Sequence, residues 1–201
     1  KANSLKIINK LNNKIVPQFL FFNKQFFLSN KKACIKKIIK KFKNDIKKKY
    51  SAFDKNSHKK SNAGYYDSYI KKKKNFDDIE RKIIKLISKF KNNKDQILVQ
   101  KFVQNPDIAG VIFSKDKTTN SHYYDINYDT SKKSNLITSG KFNPTIRSLV
   151  VFKNTKFIPV RFKKLLQITA KLEKIFKNDR LDIEFCIKNK KVYILQCRPL
   201  H

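Results

Sequence analysis

The last twenty-one residues constrain the fold most. Leu181-Asp-Ile-Glu-Phe-Cys-Ile187 and Val192-Tyr-Ile-Leu-Gln-Cys-Arg198 are two β-rich runs joined by a short polar stretch, and polar groups recur at period two inside otherwise apolar strands. Alternation sends Asp182 and Glu184 of the first run and Gln196 and Arg198 of the second to one face of a hairpin. An odd-length loop centred on Lys190 sets 182 opposite 198, 184 opposite 196 and 186 opposite 194, whereas an even loop slips the register and breaks the set. Cys186 and Cys197 then point to opposite faces, which argues against a disulfide between them. Glu184 is one of only three glutamates, so its place in mid-strand needs a chemical reason. Magnesium supplies one: a hard cation takes a carboxylate and an amide carbonyl while bridging substrate phosphates, with an arginine neutralising the phosphoryl group. The competing reading is a half-solvated sheet face held by Asp182–Arg198 and Glu184–Lys ion pairs of little energetic weight.

Upstream, Leu5, Ile8 and Leu11 share a helical face, and Val16-Pro17 leads into an apolar strand, Phe19–Phe22. Cys34, Ile35, Ile38, Ile39 and Phe42 predict a helix over 31–42, with lysines on its remaining faces. Residues 53–63 read as a polar loop ending in Ala63-Gly64, where a backbone without Cβ could approach phosphate, and 65–70 reads as extended. Asp77 and Glu80 resemble a capping box for a helix striped by Ile79, Ile83, Ile84, Ile87 and Phe90. A sheet-forming half starts near 96, with runs at 96–103, 109–114, 123–128 and 148–152; a helix over 164–176 precedes the closing hairpin. The expected division is therefore 1–95 and 96–201.

Composition bounds the rest. The 201 residues, 40% of them hydrophobic, are enough for a buried core. The net charge of +33 points on its face to nucleic acid or an anionic surface, but 43 of the 48 basic residues are lysine and only five are arginine. Readers of nucleic acid favour arginine, whose fork bonds phosphates and base edges bidentately. A Lys, Asn, Ile and Phe excess with three Gly, no Trp and no Met reads as codon bias in an AT-rich genome. No apolar run approaches the ~20 residues of a membrane span. Three cysteines without metal spacing and the lack of a signal pattern make a reducing, cytoplasmic setting the expectation, and no membrane partner or specific nucleic acid is expected. With Lys at position 1 and no Met, the chain reads as a piece of something longer.

The ending LDIEFCIKNKKVYILQCRPL (181–200) resembles the "DIEf…lyiLQ-x-RP" ending of the nucleotide-binding domain of phosphoenolpyruvate synthase and pyruvate phosphate dikinase. ILVQKFVQNPDIAGVIFSKDKTT (97–119) is similar to the family's hinge strand and "GVlFTrDp-x-tG", and SNAGYYDSYI (61–70) to its "S-x-AG-x-y-x-S-x-l". KANSLKIINKL with Val16-Pro17 resembles its opening, and YYDINYDTSKKSNLITSG (123–140) resembles the "INYD…TSG" of a subset linked to surface-polysaccharide genes. Five motifs in order cover nearly the whole chain, and Gly64, Gly110 and Gly140 each fall inside one.

The resemblance implies an α+β ATP-grasp fold of two lobes, with antiparallel sheets and packed helices. It implies ATP and Mg2+ as cofactors, held by the N-terminal loop and the closing hairpin. Lys1 matches a lysine that contacts ATP phosphates, Glu184 and Gln196 match the magnesium-holding pair, and Asp182 and Arg198 match polar residues beside the triphosphate. Ala63 and Gly64 match the phosphate-side loop. Gln100 to Val103 match the hinge that reads adenine, with Phe102 and Val103 as apolar cover, and Ser114 stands where the family has Thr near the phosphates. The implied activity is a kinase-type phosphoryl transfer from ATP to a histidine on a swivelling domain, en route to phosphoenolpyruvate. That domain and a pyruvate-binding domain would lie beyond His201 or act in trans, and His58, His122 and His201 all read as surface residues. Where the family has "RSSa-x-x-ED", this chain has Lys49, Tyr50, Lys55 and Asn56. Lys49, the candidate catalytic cation alongside Arg198, keeps a charge but loses the bidentate fork. Two other readings stay open: a lysine-rich binder of nucleic acid or other polyanion, and a copy that keeps the fold without turnover.

Overall fold

The computed structural model describes residues 2–42, 48–53, 69–71, 76–90, 92–93, 95–116, 118–131 and 145–200. Its elements are α1 (Ala2–Leu11), β1 (Phe19–Asn23), α2 (Lys24–Ser29), α3 (Lys31–Lys41), β2 (Lys48–Phe53), β3 (Tyr69–Lys71), α4 (Phe76–Ile87), β4 (Gln96–Lys101), β5 (Ile108–Phe113), β6 (Tyr123–Asp129), β7 (Arg147–Phe152), α5 (Val160–Phe176), β8 (Leu181–Lys188) and β9 (Lys191–Pro199). They group into two units, one of Pro17–Phe102 and one of Asn3–Val16 with Val103–His201. The change falls at 102–103 rather than after 95, because β4 pairs with β1 and β2.

In the 17–102 unit, an antiparallel sheet runs in the order β1-β4-β2-β3. Its core joins Phe22, Ile97 and Val99 of the sheet to Phe27 of α2, Cys34, Ile35 and Ile38 of α3, and Ile79, Ile83, Leu86 and Ile87 of α4. The buried stripe of α4 thus runs at i, i+4, i+7 and i+8; Ile84, expected inside it, lies on the flank and is exposed. Helix α4 starts at Phe76, so Asp77 sits within the first turn, where its charge favours the helix dipole, instead of capping it. Short α2 is not evident from periodicity; its start is set by Asn23, whose Oδ1 accepts the Phe26 N–H at 2.6 Å.

In the other unit, five antiparallel strands run in the order β7-β6-β5-β8-β9. The row Ile126–Ile112–Ile183–Cys197 crosses four of these strands fully buried. Its face is the one α5 covers: Tyr128 meets Phe162 edge-on with ring centroids 5.0 Å apart, and Tyr124 Oη donates to Glu173 Oε2 at 3.1 Å. Glu173 also pairs with Lys153 at 2.5 Å. Gly110, in central strand β5, has no room for a side chain, since a Cβ would lie 2.5 Å from the Asn127 carbonyl oxygen and 2.9 Å from the Phe185 ring. Helix α5 begins at Val160, four residues before its expected start, after Pro159. In α1, Leu5 and Ile8 are buried as the periodicity predicts, but Leu11 at the helix end is exposed.

Candidate functional site

The closing hairpin keeps its polar pairs by a route the loop argument did not foresee. Lys188 pairs with Lys191, so the loop has two residues, Asn189 and Lys190, with φ of 50° and 60° as a type I′ turn requires. An even loop alone would put Glu184 opposite Leu195. A β-bulge at Glu184/Phe185 shifts the ladder by one, so Phe185 pairs with Ile194, Glu184 with Gln196 and Asp182 with Arg198, while Cys186 meets Tyr193 instead of Ile194. All three cysteines are free. Burial, and secondarily the Asp182 carboxylate, push the Cys197 thiol up to about 12.

Strand pairing carries this polar face across the sheet. One row reads Arg198–Asp182–Phe113–Asp125–Val150 and the next Gln196–Glu184–Val111–Asn127–Ser148. With Asp129, opposite Ala109 and hence on the same face, four of the chain's 15 acidic residues share one sheet face of a protein whose net charge is +33. Asp182 is buried, and its Oδ2 accepts from both Nε and Nη2 of Arg198 at 2.6 Å. Gln196 is buried and Glu184 half-buried beside it. Asp125 Oδ1 accepts from Asn127 Nδ2 at 3.0 Å and Ser148 Oγ at 3.5 Å. The sequence reading gave Asp125, Asn127 and Ser148 no part in the site, although the alternation of Tyr123–Tyr128 was a signal for the first two.

Ser114 is fully buried, and its hydroxyl is taken up by the backbone: it donates to the Asp179 carbonyl and accepts from the Leu181 N–H, both at 2.7 Å. It therefore anchors the start of β8. Gln100 is buried in β4 between Phe19 and Lys49, and Phe102 and Val103 follow the strand half-buried. Lys1, Ala63, Gly64, Lys55, Asn56, His58 and His201 lie outside the described residues, as does the side chain of Lys49.

Glu184 and Gln196 offer a carboxylate and an amide oxygen as direct cross-strand neighbours, a donor set for a hard cation. Among the described residues no group of three or more His, Cys, Asp or Glu side chains could hold a metal by itself. The set fits a magnesium ion that draws its remaining ligands from phosphates and water.

No family model matches the chain, and no curated protein matches it. Solved structures do. D-alanyl-alanine synthetase A from Vibrio cholerae O1 biovar eltor is similar at 15% identity and TM-score 0.56 over 99% of this chain and 56% of its own. The D-alanine–D-alanine ligase from Bacillus anthracis complexed with ATP is similar at 11% identity and TM-score 0.55, over 100% and 55% respectively. D-cycloserine synthetase DcsG is similar at 8% identity and TM-score 0.61, over 99% and 61%. The chain thus spans a little over half the length of these proteins. Two antiparallel sheets with packed helices, superposable on such enzymes over essentially the whole chain, are the ATP-grasp fold.

Proposed function

We propose that this chain is the Mg-ATP-binding domain of a phosphotransferase of the phosphoenolpyruvate synthase and pyruvate phosphate dikinase type. The observation that carries the nucleotide half of this reading is the bulged hairpin, which sets Glu184 beside Gln196 and Asp182 beside Arg198 on a sheet face that also carries Asp125 and Asp129. Glu184 and Gln196 hold magnesium, which bridges the ATP phosphates. Arg198, fixed in direction by Asp182, neutralises phosphate charge; Lys1, Lys49, Ala63 and Gly64 are assigned to the phosphates by the motif resemblance alone. Gln100, Phe102 and Val103 line the adenine. Ser114 acts through the backbone it anchors. Positioning and charge neutralisation supply the rate, since phosphoryl transfer asks little covalent chemistry of the protein.

The choice of a histidine acceptor rests on the five motif-like stretches. The solved structures favour a second reading, an ATP-grasp ligase, because they are structures of ligases and synthetases. ATP labelled at both its β- and γ-phosphates distinguishes the two when the chain is assayed with the segments that flank it. Acid-labile, base-stable label on a histidine is the expected result. Label on a carboxylate, released as phosphate by hydroxylamine with formation of a hydroxamate, would transfer the assignment to the ligase class.

A further inference from the structure

The segment between α5 and β8 is pinned on every side. Helix α5 ends at Phe176 and is capped by Lys177 in the left-handed conformation, and the Asn178 N–H returns to the Glu173 carbonyl at 3.0 Å. Asn178 Oδ1 accepts the Arg180 N–H at 2.8 Å, and Ser114 clasps the Asp179 carbonyl and the Leu181 N–H on either side. The Arg180 carbonyl accepts from the Leu200 N–H at 2.8 Å. That bond extends the β8–β9 ladder by one pair, so residue 180 stands two positions before Asp182, on the face of Asp182, Glu184, Gln196 and Arg198.

Charges at this end of the face are unequally matched. Lys115 Nζ pairs with Asp179 Oδ2 at 2.7 Å, and Arg198 spends two nitrogens on Asp182. Arg180 has no carboxylate partner among the described residues, and its Nε is enclosed without a hydrogen-bond acceptor among them. An enclosed guanidinium N–H on a backbone held this firmly lacks one thing, an anionic oxygen. Residue 180 lies two same-face steps, roughly 13 Å, along the strand from the Glu184–Gln196 row.

We propose that Arg180 is a second phosphate-binding guanidinium of the site, holding a polyphosphate oxygen of the nucleotide while Arg198 stays paired to Asp182; this rests on the Mg-ATP reading above. The test is calorimetric titration of Mg-ATP and Mg-ADP into folded wild type, Arg180→Gln and Arg180→Lys, with circular dichroism confirming the fold. Arg180→Gln is expected to weaken Mg-ATP by about tenfold or more, the scale of one hydrogen bond to a charged group, with Arg180→Lys in between. A deficit confined to Mg-ATP places Arg180 at the terminal phosphate, and one shared with Mg-ADP places it further in; either supports the assignment. Wild-type affinity in folded Arg180→Gln would overturn it and leave the Mg-ATP reading standing, whereas no binding by folded wild type overturns both. If Arg180→Gln does not fold, Arg180→Lys decides: a severalfold loss supports the role, and unchanged affinity rejects it.

Discussion

Cys197 shows how closely the polar face and the core meet. It stands between Gln196 and Arg198 but points the other way, into the row Ile126–Ile112–Ile183 under α5. Burial and the Asp182 charge raise its pKa from 9.0 to about 12, so the thiol stays protonated in the folded protein while the unfolded chain ionises near 9. A raised pKa contributes stability that is fully present below the unfolded value and is lost as pH climbs from about 9 through about 12. Alkylation by iodoacetamide at pH 9 should therefore modify Cys197 only as fast as the protein unfolds. Rapid labelling of folded protein, located by peptide mass, would contradict this. The thiol is a spacer in the core, and the proposed chemistry belongs to Glu184, Gln196, Asp182 and Arg198 around it.

At the scale of the element, the hairpin shows what could be read from the chain and what could not. Period two in 181–187 and 192–198 placed the four polar residues on one face correctly, because alternation is a local property of extended backbone. Loop length and bulge were not legible. Nothing in Asn189-Lys190 signals a two-residue turn as Asn-Gly would, and the bulge exists because the sheet accommodates one extra residue opposite Glu184. Two errors, an assumed odd loop and an unseen bulge, cancelled at Glu184 and Asp182 but not at Cys186. The same division holds elsewhere: α3 and the buried stripe of α4 follow from spacing, whereas α2 depends on the Asn23 cap and the capping-box reading at Asp77 fails because the helix already begins at Phe76. Lys190 has a φ of 60°, a conformation unfavourable for a residue with Cβ. Lys190→Gly should accordingly stabilise the domain by about 1 kcal/mol, a rise in melting temperature of roughly 2–4 °C, without changing nucleotide affinity. A lowered melting temperature would show that the turn differs from type I′.

At the scale of the molecule, the +33 charge separates into background and exception. Among the described residues, exposed lysines lie on α1, α3, α4, α5 and the hairpin turn. No helix among the described residues is long and apolar enough to cross a membrane. Against that background Asp125, Asp129, Asp182 and Glu184 gather on one sheet face, with Arg180, Arg198 and Lys115 at one end of it and Lys188 and Lys191 at the other. A polyanion held by scattered lysines loses affinity steeply as salt rises, while a magnesium-nucleotide site depends on the metal and on the hairpin residues. Calorimetric titration of ATP into folded wild type and folded Glu184→Ala, with and without magnesium and at low and raised salt, separates the two. The predicted result is one-to-one binding that requires magnesium, survives raised salt and falls by about tenfold or more in Glu184→Ala. No binding by folded wild type, or binding that ignores magnesium, vanishes with salt and is unaffected by Glu184→Ala, would contradict the assignment of this hairpin as the nucleotide site.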